Sequence, residues 1–150
     1  MPELPEVETS VQAIQEFTNQ NIESIEIYNP NLRWKVDCKA FKKLCGLKVD
    51  KISRRAKYIL LHIDKSQILI HLGMTGTLRI ADKNSNFYKK HDHIEFIFQS
   101  GKLIFNDPRR FGSMHYITKP SSHFLLEKLG PEPLSEEFNG DYLFQKIKKS

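Results

Sequence analysis

Leu4, Val7, Val11, Ile14 and Phe17 recur at intervals of three and four, which predicts an amphipathic helix over residues 4–18 with one buried face. After it the period shortens. Runs rich in Ile, Val, Leu, Phe and Tyr at 22–28, 47–53, 57–63, 67–72, 77–81, 93–99, 102–106 and 112–117 predict eight strands. Turn-forming residues separate several of them: Asn29-Pro30-Asn31, Asp64-Lys65-Ser66, the polar stretch 82–86, and Ser100-Gly101, which reads as a tight hairpin. Short helices are expected at 37–45, capped by Asp37 and stopped by Gly46, and at 121–129, stopped by Gly130-Pro131, with a last one over 140–149. Many short strands with few helices predict a mostly β fold with flanking helices, a two-layer β-sandwich beside an N-terminal amphipathic helix, and not a parallel α/β sheet.

Length and composition narrow the class. At 150 residues the chain has room for one domain with a core, and 39% hydrophobic with 27% charged residues describes a globular chain. Apolar runs last only a few residues and the N-terminus is acidic, so neither a membrane span nor a signal peptide is expected, and the location expected is cytoplasmic. Cys38 and Cys45 lack CxxC spacing and read as reduced structural thiols, and no metal site is expected in this chain. The net charge of +5 is unevenly placed. Residues 1–32 hold six acids and no Lys or Arg, whereas residues 33–57 hold ten Lys or Arg against Asp37 and Asp50. Such a basic block, with Trp34 and Tyr58 nearby, suits either a polyanion such as nucleic acid or a solvated charged face.

Five stretches are candidates for chemistry. Met1-Pro2-Glu3-Leu4-Pro5-Glu6 places a proline at the N-terminus once Met1 is removed, and a secondary amine there can attack an electrophilic carbon such as a sugar C1′ and form an iminium. Glu3 beside it can move protons, while Glu6 and Glu8 also match an ordinary helix start in the field of the helix dipole. Arg54-Arg55-Ala56-Lys57-Tyr58 opens an apolar strand, so Lys57 serves either a phosphate or base edge, or the strand edge itself. His71-Leu72-Gly73-Met74-Thr75-Gly76 bends on two glycines at a strand end and presents His71 and Met74. Asn106-Asp107-Pro108-Arg109-Arg110-Phe111-Gly112 is a turn that offers two arginines and a ring. Arginine can bind a base edge or phosphate, and phenylalanine can wedge into a base stack. His91-Asp92-His93 lacks a second ligand cluster, which favours phosphate contact or strand packing over metal.

These stretches, with Arg55-Ala56-Lys57-Tyr58, Lys90-His91-Asp92-His93 and Leu129-Gly130-Pro131-Glu132-Pro133-Leu134, resemble the N-terminal half of bacterial formamidopyrimidine-DNA glycosylase in order and spacing. Leu4 fits the oxidised-purine branch and not the endonuclease VIII branch, which opens Pro-Glu-Gly-Pro-Glu. The resemblance implies base-excision repair by a bifunctional glycosylase and abasic-site lyase, acting on duplex DNA with oxidised purines (8-oxoguanine, formamidopyrimidines) or abasic sites. It assigns Pro2 as nucleophile, Glu3 as acid and base, Lys57 as a further catalytic group, and Glu6 as support for the amine. It assigns His71, His91, Arg109 and Arg110 to DNA contact, and Met74, Arg109 and Phe111 to filling the gap left by an extruded nucleotide. It also implies a helical DNA-binding module and a four-cysteine zinc finger, neither found in this chain, so the chain is expected to be the N-terminal catalytic domain, without cofactor and monomeric.

Two other readings stand beside this one: a DNA-binding fragment that is inactive for want of the second domain or because Met1 is retained, and a β-rich domain for some other anionic partner.

Overall fold

In the computed structural model, which describes residues 4–85 and 89–118, the chain begins with helix α1 (Leu4–Ala13). Val7 and Val11 are buried on its inner side, and Ile14, just past its end, is buried as well. The periodicity continues to Phe17, but the α-helix does not: Gln15–Phe17 is a 3-10 turn. Tightening the last turn to i→i+3 bonds uses carbonyls that an α-helix end leaves open. Phe17 then stacks on Phe98 with ring centroids 4.4 Å apart.

The eight expected strands are all present as β1 (Ser24–Ile27), β2 (Val49–Arg55), β3 (Tyr58–Ile63), β4 (Ser66–His71), β5 (Thr77–Ala81), β6 (Asp92–Phe98), β7 (Gly101–Asn106) and β8 (Ser113–Ile117). They form two four-stranded sheets, in the orders β1-β6-β7-β5 and β2-β3-β4-β8. Alternate residues of each strand point to one face, so Ile94, Phe96 and Phe98 of β6 meet Ile59, Leu61 and Ile63 of β3, with Ile68 and Ile70 of β4, in a single core. This is the expected sandwich. β3 reads as an unbroken apolar run because Tyr58 and Leu60, on its other face, are buried as well.

Helix α2 (Cys38–Lys42) starts as expected, with Asp37 Oδ1 accepting the Ala40 N–H at 3.1 Å. Gly46, at φ +91, ends the turns that follow it. Two details differ from the sequence reading. The Arg54-Arg55 pair closes β2, and Ala56 (φ +54) with Lys57 forms the two-residue turn into β3, so Lys57 sits on a hairpin tip and not in the strand. Gly101 is not in the β6–β7 turn, which is Gln99-Ser100; it is glycine because a Cβ there would lie 2.8 Å from the Ala81 carbonyl oxygen.

Residues 1–116 group as one compact unit and 117–150 as a second. The helices expected at 121–129 and 140–149, the 129–134 motif, Asn86, Pro2 and Glu3 lie outside the described residues. Among the described residues no helix is long and apolar enough to cross a membrane.

Candidate active site

Antiparallel pairing gathers the candidate loops at one end of the sandwich. In one sheet Arg55 pairs with Tyr58 and Ile59 with Ile70, which sets the Ala56-Lys57 turn beside His71 at the end of β4. In the other, Thr77 and Asp92 both pair with Asn106, so the starts of β5 and β6 flank the end of β7. The 72–76 turn, His91 and the 107–112 loop therefore meet there. Helix α1 reaches the same place: Glu6 and Ser10 line a cavity of about 330 Å³ with Met74, Thr75 and Leu78. Its position is held by Arg54, whose Nε donates to Glu8 Oε1 at 2.9 Å and whose Nη1 donates to the Ala56 carbonyl at 2.8 Å. Gln15 Nε2 adds a bond to the Ile52 carbonyl at 3.0 Å.

Lys57, Tyr58 and His71 form one cluster. The Lys57 Nζ lies 5.8 Å from the centre of the Tyr58 ring, and that ring lies 5.3 Å from the His71 ring. Burial pushes the Tyr58 hydroxyl pKa up. Burial first, and then the cationic Lys57 and Arg33, lower the His71 pKa to about 4, with Asp107 opposing them. His71 is thus neutral at pH 7, and among the described residues its buried Nε2 has no hydrogen-bond partner. A neutral ring with an open nitrogen can exchange one hydrogen bond with a ligand, but it offers no charge to a phosphate.

Asp107 organises the loop that follows it. It is fully buried, and its Oδ2 accepts the Gly112 N–H at 2.8 Å while its Oδ1 accepts the Thr75 hydroxyl at 2.6 Å and the Arg109 N–H at 3.3 Å. Its carbonyl takes bonds from His93 Nε2 at 2.7 Å and the Arg110 N–H at 3.2 Å, and its own N–H donates to the His91 carbonyl at 3.1 Å. With the backbone so held, Arg109, Arg110 and Phe111 are all exposed. Arg110 takes φ +57, and the Arg109 guanidinium stacks on the Phe111 ring at 4.7 Å. Phe111 at 44% and Met74 at 55% exposure are large apolar side chains facing water at this end. The 28–36 segment joins through the Arg33 N–H, which donates to the Gly112 carbonyl at 3.2 Å.

The His91-Asp92-His93 group divides its tasks. Asp92 is buried and takes a bidentate pair from Arg79 at 3.0 and 2.8 Å, with Asn106 Nδ2 at 2.9 Å and the Lys89 N–H at 2.8 Å. Burial alone would raise its pKa, but these donors hold it below the usual carboxylate value. His93 packs on Phe105 and is buried. His91, at φ +73, remains at the rim of the site. Among the described residues no group of three or more His, Cys, Asp or Glu side chains is placed to hold a metal ion.

The structure thus brings together Glu6, Lys57, His71, Met74, His91, Arg109, Arg110 and Phe111. Reading the sequence for reactive groups passed over Asp107, Thr75, Tyr58 and Arg33. The signal for Asp107 was present, since an Asp before Pro commonly accepts the N–H two residues on. Thr75 and Arg33 enter through contacts across 32 and 79 residues of chain, which no local pattern records.

Comparison with known proteins gives the family and the fold. The formamidopyrimidine-DNA glycosylase N-terminal domain family matches residues 1–114. Formamidopyrimidine-DNA glycosylase of Hydrogenovibrio crunogenus is 49% identical over 150 residues, covering 98% of this chain and 53% of that protein. The Lactococcus lactis Fpg (MutM) structure in complex with DNA containing N7-benzyl-Fapy-dG superposes with a TM-score of 0.79 at 37% identity, over 99% of this chain and 56% of that one. The Lactococcus lactis enzyme bound non-covalently to DNA with an abasic site gives 0.78 at 35% identity, over 99% and 58%. The chain spans about half the length of these relatives. With eight strands in the same sandwich and a matching sequence over residues 1–114, the chain belongs to the formamidopyrimidine-DNA glycosylase N-terminal domain family.

Proposed function

We propose that this chain carries the catalytic half of a base-excision repair enzyme, a DNA glycosylase and abasic-site lyase acting on oxidised purines. The observation that carries the reading is the meeting, at one end of the sandwich, of the start of α1 with the Lys57 turn, the Met74 turn and the Arg109–Phe111 loop. The relatives, solved on DNA holding a formamidopyrimidine or an abasic site, supply the substrate class.

In this reading Pro2, freed by removal of Met1, attacks C1′ of the extruded nucleotide, and the C1′–N9 bond breaks as the base leaves with a proton. The secondary amine becomes an iminium without a second deprotonation at nitrogen. Glu3 moves the protons of base release and sugar-ring opening. Loss of a 2′ proton expels the 3′ phosphate, and a second elimination releases the sugar fragment. Glu6, on the first turn of α1, supports the amine, and the Lys57 and Arg33 cations face the sugar-phosphate backbone. The flipped-out nucleotide leaves a gap that Met74, Arg109 and Phe111 fill, with Arg109 facing the orphaned base. Unstacking costs a few kcal/mol per step, and exposed apolar side chains offset part of it. Incision of duplex DNA with a single abasic site tests this: ends carrying phosphate on both sides of the gap are expected, and an intact strand under single-turnover conditions contradicts it.

Charge and neutrality separate the DNA contacts. Arg110→Ala is expected to reduce the slope of log affinity against log salt by about one, as for one lost phosphate contact. His71→Gln should leave that slope unchanged, because a histidine with a pKa of about 4 carries no charge at pH 7. Binding titrations between 50 and 200 mM salt, roughly the range over which counterion release shows clearly, distinguish the two.

A further inference from the structure

We propose that Thr75 is a positioning residue whose hydroxyl locks the Met74 turn to the Arg109–Phe111 loop, so that the two enter the duplex as one unit. The inference rests on the reading of Met74, Arg109 and Phe111 as fillers of the gap. Thr75 Oγ1 donates to Asp107 Oδ1 at 2.6 Å and accepts the Arg109 N–H at 3.3 Å, so one hydroxyl ties the Met74 turn to the carboxylate and to the backbone of the loop that the carboxylate orders. The two backbones already touch: a Cβ on Gly73 would fall 2.7 Å from the Gly112 nitrogen and 2.8 Å from the Phe111 carbonyl carbon. Backbone contact prevents the loops from closing further, but only a directional bond prevents them from sliding apart. The Thr75–Asp107 bond supplies that direction across 32 residues of chain.

The energetic reason lies in what the exposed side chains must do. Met74 and Phe111 hold apolar surface in water, and each inserted alone would lose its own conformational freedom against a stacked duplex. With the two turns already tied together, the freedom of one loop relative to the other is lost in folding and not again on insertion. Thr75 itself touches no reacting atom in this scheme. Valine at this position keeps the branched shape and removes the hydroxyl, so the Met74 turn loses its bonds to the loop while Asp107 Oδ1 still accepts the Arg109 N–H within it. Serine keeps the hydroxyl.

The test uses the whole protein and a duplex with a tetrahydrofuran abasic analogue beside 2-aminopurine, whose fluorescence rises when its stacking is broken. Wild type, Thr75→Val and Thr75→Ser are compared, each alone and combined with Met74→Ala, Phe111→Ala or both. In wild type and Thr75→Ser the Met74→Ala/Phe111→Ala pair should lose little more fluorescence amplitude than the worse single change. In Thr75→Val the amplitude should fall severalfold and the two alanine losses should multiply, while affinity for undamaged duplex stays within about twofold. Equal amplitude and the same non-additivity in Thr75→Val overturn the coupling while leaving the wedge reading intact. Multiplying losses in wild type overturn it as well. Absence of any fluorescence rise with bound wild type overturns both the wedge reading and the proposal built on it. A Thr75→Ser variant that behaves as Thr75→Val shows that shape and not the hydroxyl matters, and overturns the assignment.

Discussion

Gly112→Ala is expected to lower the thermal midpoint by roughly 6–12 °C, from about 3 kcal/mol of strain in a chain of this size. A Cβ at this position would lie 2.6 Å from the His71 carbonyl oxygen, 2.9 Å from that of Leu72, and 3.0 Å from Asp107 Oδ2. None of these atoms can yield cheaply. The two carbonyls belong to the end of β4 and the turn after it, and the carboxylate is tied to Thr75 and to the Gly112 N–H. The alanine therefore forces the 107–112 loop outward, breaking the 2.8 Å bond that orders it and moving Arg109 and Phe111 with it. Gly46→Ala provides the contrast. Its φ of +91 is unfavourable for a side chain, but no atom lies within 4 Å of the added Cβ, so a loss of about 1 kcal/mol is expected from the backbone alone. Calorimetric melting of the two variants checks the difference, and a Gly112→Ala shift no larger than that of Gly46→Ala contradicts the account of the loop.

Glu3→Gln is expected to slow base release by about 10²- to 10⁴-fold, the range typical of a lost general acid or base. The amide keeps the size and a hydrogen-bonding oxygen but cannot deliver or take the proton. Affinity for lesion-bearing duplex should change by only a few fold, because the phosphate contacts assigned to Lys57, Arg33 and Arg110 remain. Single-turnover release of a formamidopyrimidine base, measured beside binding, separates the two quantities. Loss of binding in parallel with rate would place Glu3 in recognition and not in proton transfer.

Much of this architecture was legible in the residues. Helix α1 announced itself through Val7, Val11 and Ile14, and the strands through short β-branched and aromatic runs, because burial on one or both faces leaves those periods in the chain. Turns were less legible. Lys57 reads as strand because apolar residues follow it at once, yet the Arg55–Tyr58 pairing leaves only Ala56 and Lys57 to reverse the chain. Gly101 reads as a turn residue, whereas its cause is the Ala81 carbonyl on a neighbouring strand. The site residues with exposed side chains, Met74, Arg109, Arg110 and Phe111, stood out by type. The groups that hold them did not. Asp107 is an ordinary turn residue until its carboxylate is seen buried between two loops, and the neutrality of His71 follows from burial and from Lys57 and Arg33, which only folding brings near.

The central claim is that an N-terminal proline amine performs the chemistry, and borohydride trapping tests it most directly. The protein, with Met1 shown by intact mass to be absent, is incubated with duplex DNA holding one abasic site and reduced during the reaction. The account predicts a stable protein–DNA adduct whose peptide map places the attached sugar on Pro2, and no adduct from protein that retains Met1, since its proline nitrogen is an amide. An adduct located on Lys57 or another lysine, or one that forms equally well with Met1 in place, would contradict it.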